Sequence, residues 1–290
     1  MSSRYLLLLL FGCAAILGYA NARKCMLKEP LTYEEADYCT ESQPHLGCNH
    51  NQKFGAHCQA TARLLEIKPE LSKAIVRQMN VYRNIVAKGG LPNLPTAGRM
   101  NKLGWDESLA KLAGLAAMRC VLDPIKRSFT ATHASKPGYT AILTKYPTSQ
   151  KQTVHQIMYS HLKTFYNQHI HITPTSLLSG EGRNGRDVSH FLQLITGMNS
   201  RVGCGIVIFH EKEWTVQLMI CLYGCNKHPN TFTYSIGQTP KISCACPDTD
   251  QEFKNLCPYN VVDEDCGLLN EEGLTTTPKP KPALDIIEYF

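Results

Sequence analysis

The chain has 290 residues, 43% of them hydrophobic, and a formal net charge of +6 from 30 Lys and Arg against 24 Asp and Glu. That charge is mild and spread along the chain without an Arg/Lys run, which sets nucleic-acid binding aside. Thirteen cysteines in such a composition point to disulfides and an oxidising compartment rather than to the cytosol.

Residues 1–22 read as a secretory signal peptide, with one basic residue, an apolar run over Tyr5–Leu17 and small residues at Ala20 and Ala22 where cleavage is expected. The run is short for a membrane span. No later stretch is long and apolar enough to cross a bilayer, so the expected product is soluble, secreted and extracellular. Cys13 leaves with the signal, so thirteen cysteines become twelve, an even number suited to bridges. No Asn-x-Ser/Thr sequon occurs.

Residues 23–70 are rich in Cys, His and Asn and weak in periodicity, which suggests a disulfide-held N-terminal lead. Residues 71–88 predict a helix with Leu71, Ile75, Met79, Tyr82 and Val86 on one side and Gly89-Gly90 as its stop. LPNLPTAGRM follows as a proline-rich loop. In NKLGWDESLAKLAGLAAMRC, Asp106 can cap a helix whose buried face is Leu109, Leu112, Ala113, Ala116 and Cys120.

Tyr139–Leu143 predicts a strand. Residues 152–168 predict a helix with Val154, Ile157, Met158, His161, Leu162 and Phe165 on one stripe. Residues 171–186 read as a Gly/Ser/Pro loop. Asp187 is a good N-cap for a helix with Val188, Phe191, Leu192 and Ile195 at i, i+3, i+4 and i+7, ended by Gly197. VGCGIVIF and WTVQLMIC then predict a hairpin joined at His210–Glu213. In its second strand Trp214, Val216, Leu218 and Ile220 alternate onto one face. The pairing would bring Cys204 and Cys221 into register for a bridge. The core is thus expected over 71–224, followed by a cysteine-rich extension over 225–272 and an extended Thr/Pro/Lys tail over 273–290.

His-Phe-x-Gln-hydrophobic at His190, then Val-Gly-Cys-Gly at Val202, then a strand ending Cys-x-Tyr at Tyr223, resembles the CAP superfamily of cysteine-rich secretory, antigen-five and pathogenesis-related proteins. Leu103-Gly-Trp105-Asp106-x-x-Leu109-Ala110 resembles that family's second-helix signature. The resemblance covers roughly residues 38–246. It implies an α+β fold: a three-layer α-β-α sandwich of the CAP type, disulfide-stabilised, with helices on both sides of an antiparallel sheet.

Many CAP domains hold two His and two acidic residues in a cleft, and some bind zinc there. Carried over by motif, the first His becomes Pro124, the first acid Tyr139 and the second acid Gln168. Only His190 remains. One ligand of four cannot make a tight zinc site, and no spacing rule lets His133 substitute. No metal and no cofactor are therefore expected. These positions also lack the partnered base that hydrolysis needs. Ser189 adjoins His190, but neighbouring helix residues are not expected to face each other.

The resemblance further implies Cys39–Cys48 and Cys58–Cys120, together with Cys204–Cys221 across the hairpin. The family's remaining core bridge would join Gln43 to Arg127, so both of its halves are lost together. Cys25, Cys225, Cys244, Cys246, Cys257 and Cys266 are left over, and six cysteines allow 15 pairings.

The expected function is that of a secreted non-enzymatic protein binding extracellular proteins or a cell-surface receptor. Degenerate chains of this kind resemble insect seminal-fluid proteins of sperm storage and post-mating response. The alternative is a salivary or venom antigen-five-like protein that binds a small lipid or amine. No nucleic acid and no membrane span are expected.

Overall fold

The computed structural model describes residues 38–39, 45–122, 137–228, 230–242, 244 and 252–258. The signal peptide, much of the lead, Pro124, His133 and the Thr/Pro/Lys tail lie outside the described residues. Among the described residues, no helix is long and apolar enough to cross a membrane.

In chain order, β1 (Arg63–Leu64) leads to α1 (Pro69–Ala87), then β2 (Ala97–Arg99), β3 (Gly104–Trp105) and α2 (Glu107–Ala117). β4 (Gly138–Pro147) and α3 (Val154–Asn167) follow, then two short helices, α4 (Ser176–Ser179) and α5 (Ser189–Leu194). β5 (Arg201–Glu211), β6 (Trp214–Tyr223) and β7 (Ser235–Ile236) close the order.

The main sheet runs β1-β5-β6-β4, with β3 also on β5. β4, β5 and β6 form an antiparallel ladder in which Cys204 stands opposite Cys221. The expected all-antiparallel sheet needs one correction, because β3 pairs parallel to β5 through Gly104↔Arg201 and Trp105↔Val202. The proline-rich loop also contributes a strand: β2 pairs with β7 in a separate two-stranded sheet.

Helices cover both faces, which explains why β6 is buried at every position after an exposed Trp214. Val216, Leu218, Ile220 and Leu222 join α2 in one cluster. Met219, Cys221 and Tyr223 join residues of α1, α3 and α5 in the other. Burying both faces is what turns a period-2 strand into a continuous apolar run. This is the expected three-layer α-β-α sandwich.

Local signals set most boundaries. α1 starts with proline in its first turn. It ends with Gly89 at φ 74°, where Gly90 N–H donates to Ile85 O and Gly89 N–H to Val86 O. That is a Schellman closure, and the left-handed residue is a glycine because it lacks a Cβ. Asp106 Oδ1 caps α2 by accepting from Leu109 N–H at 2.8 Å. Thr153 and Gln156 form a reciprocal capping box on α3. At α5 the cap is displaced: Val188 is the N-cap, and Asp187 accepts from Ser189 N–H from one residue earlier.

α2 lies directly on β5. A Cβ at Gly203 would meet Ala110 N at 2.0 Å, and one at Gly205 would meet Gly114 N at 2.4 Å. The stretch expected as loop over 171–186 holds α4 and a short 3-10 turn over Arg183–Gly185. Bridges join Cys39–Cys48, Cys58–Cys120, Cys204–Cys221 and Cys244–Cys257. Cys225 is also disulfide-bonded, with its partner outside the described residues. Phe253, Leu256 and Cys257 of the extension are buried, the first two in the α1 cluster, and Cys257 N–H donates to Met100 O.

Candidate functional site

The candidate site gathers where α3 ends, α5 begins and the edge strand β4 passes. His190 sits in the first turn of α5, with its ring 4.9 Å from that of Phe165 on α3. Its Nε2 lies 2.8 Å from Ala141 O on β4. A carbonyl only accepts, so Nε2 is the donor in this contact. His190 thus occupies a free backbone acceptor on the sheet edge.

Nδ1 has two neighbours on its own helix turn: Ser189 Oγ at 3.1 Å and Asp187 Oδ2 at 3.9 Å. The Ser189–His190 contact departs from the expectation that adjacent helix residues do not meet. At the first helical position the serine side chain has no preceding turn beside it and can swing toward its neighbour. The cluster is still not a triad. Ser189 and Asp187 both approach the same nitrogen, and the other nitrogen is taken by Ala141. In a Ser-His-Asp triad the two partners flank the ring from opposite nitrogens. Burial alone would push the Asp187 carboxyl up. Hydrogen bonds from the Ser189 backbone and side chain, the nearby His190 and a hydrogen bond from Gln168 outweigh it and hold the group below its usual value.

Gln168 follows the last residue of α3, and its Oε1 accepts from Phe191 N–H at 2.9 Å. It therefore joins the end of α3 to the start of α5, satisfying one of the free N–H groups of a helix terminus. Tyr139 goes elsewhere. It packs against the α2-side cluster, and its hydroxyl donates to Leu122 O. The structure thus brings Gln168 and His190 to the same helix start and sends Tyr139 to the opposite layer. Pro124 lies outside the described residues.

The donor set does not fit zinc. An amide, a phenol bonded to a carbonyl and one imidazole offer no ligand constellation. Among the described residues no group of three His, Cys, Asp or Glu could hold a metal ion.

Next to this region lies a polar core built on Asn80 and Arg83, which match the Asn and Arg of the family's first-helix motif and whose partners the sequence did not show. Arg83 on α1 is fully buried. Its guanidinium donates to the carbonyls of Asn101, Leu194, Thr196 and Asn199 at 2.6–3.1 Å. Burial pushes its pKa down to about 9, with the Tyr223 phenol acting in the opposite sense, so it remains a cation at neutral pH. Asn80, one turn earlier, pairs both ways with Leu103, accepting its N–H and donating to its O at 2.9 Å each. Buried Gln193 donates to Cys225 O and accepts from Lys227 N–H. Asn199 Oδ1 accepts from Cys225 N–H at 2.6 Å. These groups hold α1, the end of α5 and the start of the extension in one arrangement. His161 on α3 bonds Thr144 at 2.8 Å, and burial pushes its ring down to about 4.

The comparisons with known proteins agree with this architecture. Over 220 residues the chain is 28% identical to Tabinhibitin 3 of Tabanus yao, covering 76% of this chain and 84% of that one. Over 167 residues it is 29% identical to the antigen 5 like allergen Cul n 1 of Culicoides nubeculosus, covering 56% of this chain and 73% of that one. Among solved structures, NaASP2, described as crystallised with Zn2+, superposes with a TM-score of 0.51 at 20% identity. That match covers 66% of this chain and 96% of NaASP2, and at this identity it speaks for the fold alone. A sequence model of the cysteine-rich secretory protein family, CAP, matches residues 76–223, from the middle of α1 to the end of β6, and the chain belongs to that family.

Proposed function

We propose that this chain is a secreted, non-enzymatic CAP protein that acts by binding extracellular proteins or a cell-surface receptor. The observation that carries the reading is where the site groups are engaged. His190 is held by Ala141 O, Gln168 by Phe191 N–H and Tyr139 by Leu122 O. Each side chain at a described tetrad position satisfies the protein's own backbone, which leaves the scaffold for recognition rather than chemistry. The disulfides fit an oxidising, extracellular setting. The division into signal peptide (1–22), lead (23–70), core (71–224), extension (225–272) and tail (273–290) belongs to this proposal.

Two settings share this mechanism. The seminal-fluid setting rests on the degenerate tetrad. The salivary or venom setting has relatives named an antigen 5 like allergen and a venom allergen on its side, so it is at least as well supported. Mass spectrometry of ejaculate and of saliva or venom from the source animal decides between them. Mature peptides confined to ejaculate would support the reproductive setting, and peptides confined to saliva or venom would end it. Hydrolytic activity that survives purification and disappears in His190→Ala would overturn the non-enzymatic reading in either setting.

A further inference from the structure

Asn184 and Gly185 form the only Asn-Gly pair in the chain. They are the two central residues of the short turn between α4 and α5, and both are left-handed, with φ of 54° and 69°. Arg186 N–H donates to Arg183 O across the turn, and Gly185 N–H donates to Gly182 O, each at 3.2 Å. This is the mirror-image turn that Asn-Gly favours, because glycine has no Cβ and the short asparagine side chain tolerates a left-handed backbone. Arg183, Asn184, Gly185, Arg186 and Asp187 are all exposed. Among the described residues Asn184 makes no side-chain hydrogen bond, and a Cβ at Gly185 would meet nothing within 4 Å.

Asn49, Asn93 and Asn230 share this exposed, left-handed setting. Each of them is followed by a residue with a side chain, His50, Leu94 and Thr231 respectively, and Leu94 is buried. The difference is chemical. The backbone nitrogen of the following residue is the nucleophile nearest to an asparagine side chain, and a Cβ beside that nitrogen crowds the ring that its attack forms. At Gly185 there is no Cβ to do so.

We propose that Asn184 is a site of spontaneous modification, at which reaction with water replaces the amide by a carboxylate. Gly185 N gives its proton to solvent base and attacks Asn184 Cγ. The Cγ–Nδ2 bond breaks, ammonia leaves, and a five-membered succinimide closes. Water then opens the ring. Attack at Cγ restores the main chain as an aspartyl residue. Attack at the backbone carbonyl carbon routes the chain through the side chain as isoaspartyl, longer by a methylene. Either product sets a carboxylate between Arg183 and Arg186, on the loop that leads into α5 and His190, and makes the protein less basic there. With ψ at 36°, the Gly185 nitrogen lies across the Cα–C bond from the Asn184 side chain, so ring closure waits for the turn to open. Two long hydrogen bonds hold the turn, and exposed turns of this kind open at little cost. The site stands independently of the protein-binding reading.

The test incubates the oxidised chain in mildly alkaline buffer, follows the growth of an acidic band by ion exchange and maps the modified residue by peptide mass spectrometry. The expected result is conversion at Asn184 before any other asparagine. Its rate should be about tenfold below that of the reduced chain held in guanidinium chloride, the factor that about 1.4 kcal/mol of turn opening imposes. Asn184→Gly places a residue at home in left-handed backbone. It should abolish the acidic band and leave the circular dichroism unchanged. An intact Asn184 in a sample where Asn49, Asn93 or Asn230 has converted overturns the proposal. So does a folded chain without conversion after about a hundred times the period that the unfolded chain needs, or an acidic band that persists in the folded Asn184→Gly variant.

Discussion

Arg83 and Asn101 are joined by two hydrogen bonds to one carbonyl: Arg83 Nη2 donates at 2.6 Å and Nε at 3.1 Å to Asn101 O. The same guanidinium reaches Leu194 O and Thr196 O through Nη1. A planar fork with five N–H groups can serve carbonyls from two separate loops, and an ammonium cannot. Arg83→Lys therefore should destabilise the protein by roughly 3 kcal/mol, the scale of breaking a buried charged network. Urea unfolding of the oxidised protein measures this, and a midpoint within error of the parent would sink the assignment.

Asp106 does two things with its two oxygens. Oδ1 caps α2, and Oδ2 pairs with Arg201 at 2.8 Å, both side chains being almost fully buried. Asp106→Asn keeps an oxygen for the cap but removes the charge and leaves Arg201 without its counter-ion. A loss of about 3 kcal/mol is expected. Asp106→Ala should lose a further ~1 kcal/mol for the cap. Equal stabilities for the two variants would show that the cap contributes nothing.

Acid should weaken the fold through His161. In the folded chain burial holds this ring at about 4, against 6.5 for the exposed group. Below pH 6.5 the unfolded chain takes up a proton that the folded chain refuses until about pH 4. Stability is therefore complete above pH 6.5 and declines between 6.5 and 4, by up to roughly 3 kcal/mol. Urea midpoints at pH 7, 5.5 and 4.5 report the decline. His161→Leu should flatten it, and an equally steep decline in that variant would assign it to other groups.

The contact between α2 and β5 separates three glycines. Gly205→Ala would drive a Cβ against Gly114 N and Gly203→Ala against Ala110 N. Both obstacles are backbone, so each variant should lose several kcal/mol or fail to secrete. Gly114→Ala meets only ordinary contact with Leu64 and should gain about 0.5–1 kcal/mol from helix propensity. Thermal melts of the three variants test the ordering.

His190→Ala should cost about 1 kcal/mol, because it removes the hydrogen bond to the Ala141 carbonyl on the edge strand β4. Partner binding should survive it. Equilibrium dialysis against zinc should show no stoichiometric uptake by the parent chain, and one tightly held ion per molecule would overturn the donor-set argument.

Legibility followed sequence separation. Leu71, Ile75, Met79 and Val86 were readable as the buried face of α1 because helical spacing puts them on one stripe, and all four are buried. Asp106 was readable as a cap from its position before an apolar run. The Cys204–Cys221 register was readable because a hairpin leaves little freedom in pairing. The Thr153–Gln156 capping box is written in the residues as Thr-x-x-Gln. Arg83 gave no local sign of its role, because most of its partners are carbonyls far along the chain, at Leu194, Thr196 and Asn199, and every residue type has a carbonyl. The parallel pairing of β3 was equally silent, since two residues carry no period.

What the sequence by itself determined is the set of amphipathic faces, caps and cysteines that make an α-β-α sandwich of the CAP family, and the uncharged side chains at Tyr139 and Gln168. What only the tertiary structure decided is direction and company. Tyr139 turns from β4 toward the α2 cluster, while Gln168 and His190 meet on the other layer, because the end of α3 packs against the start of α5 there.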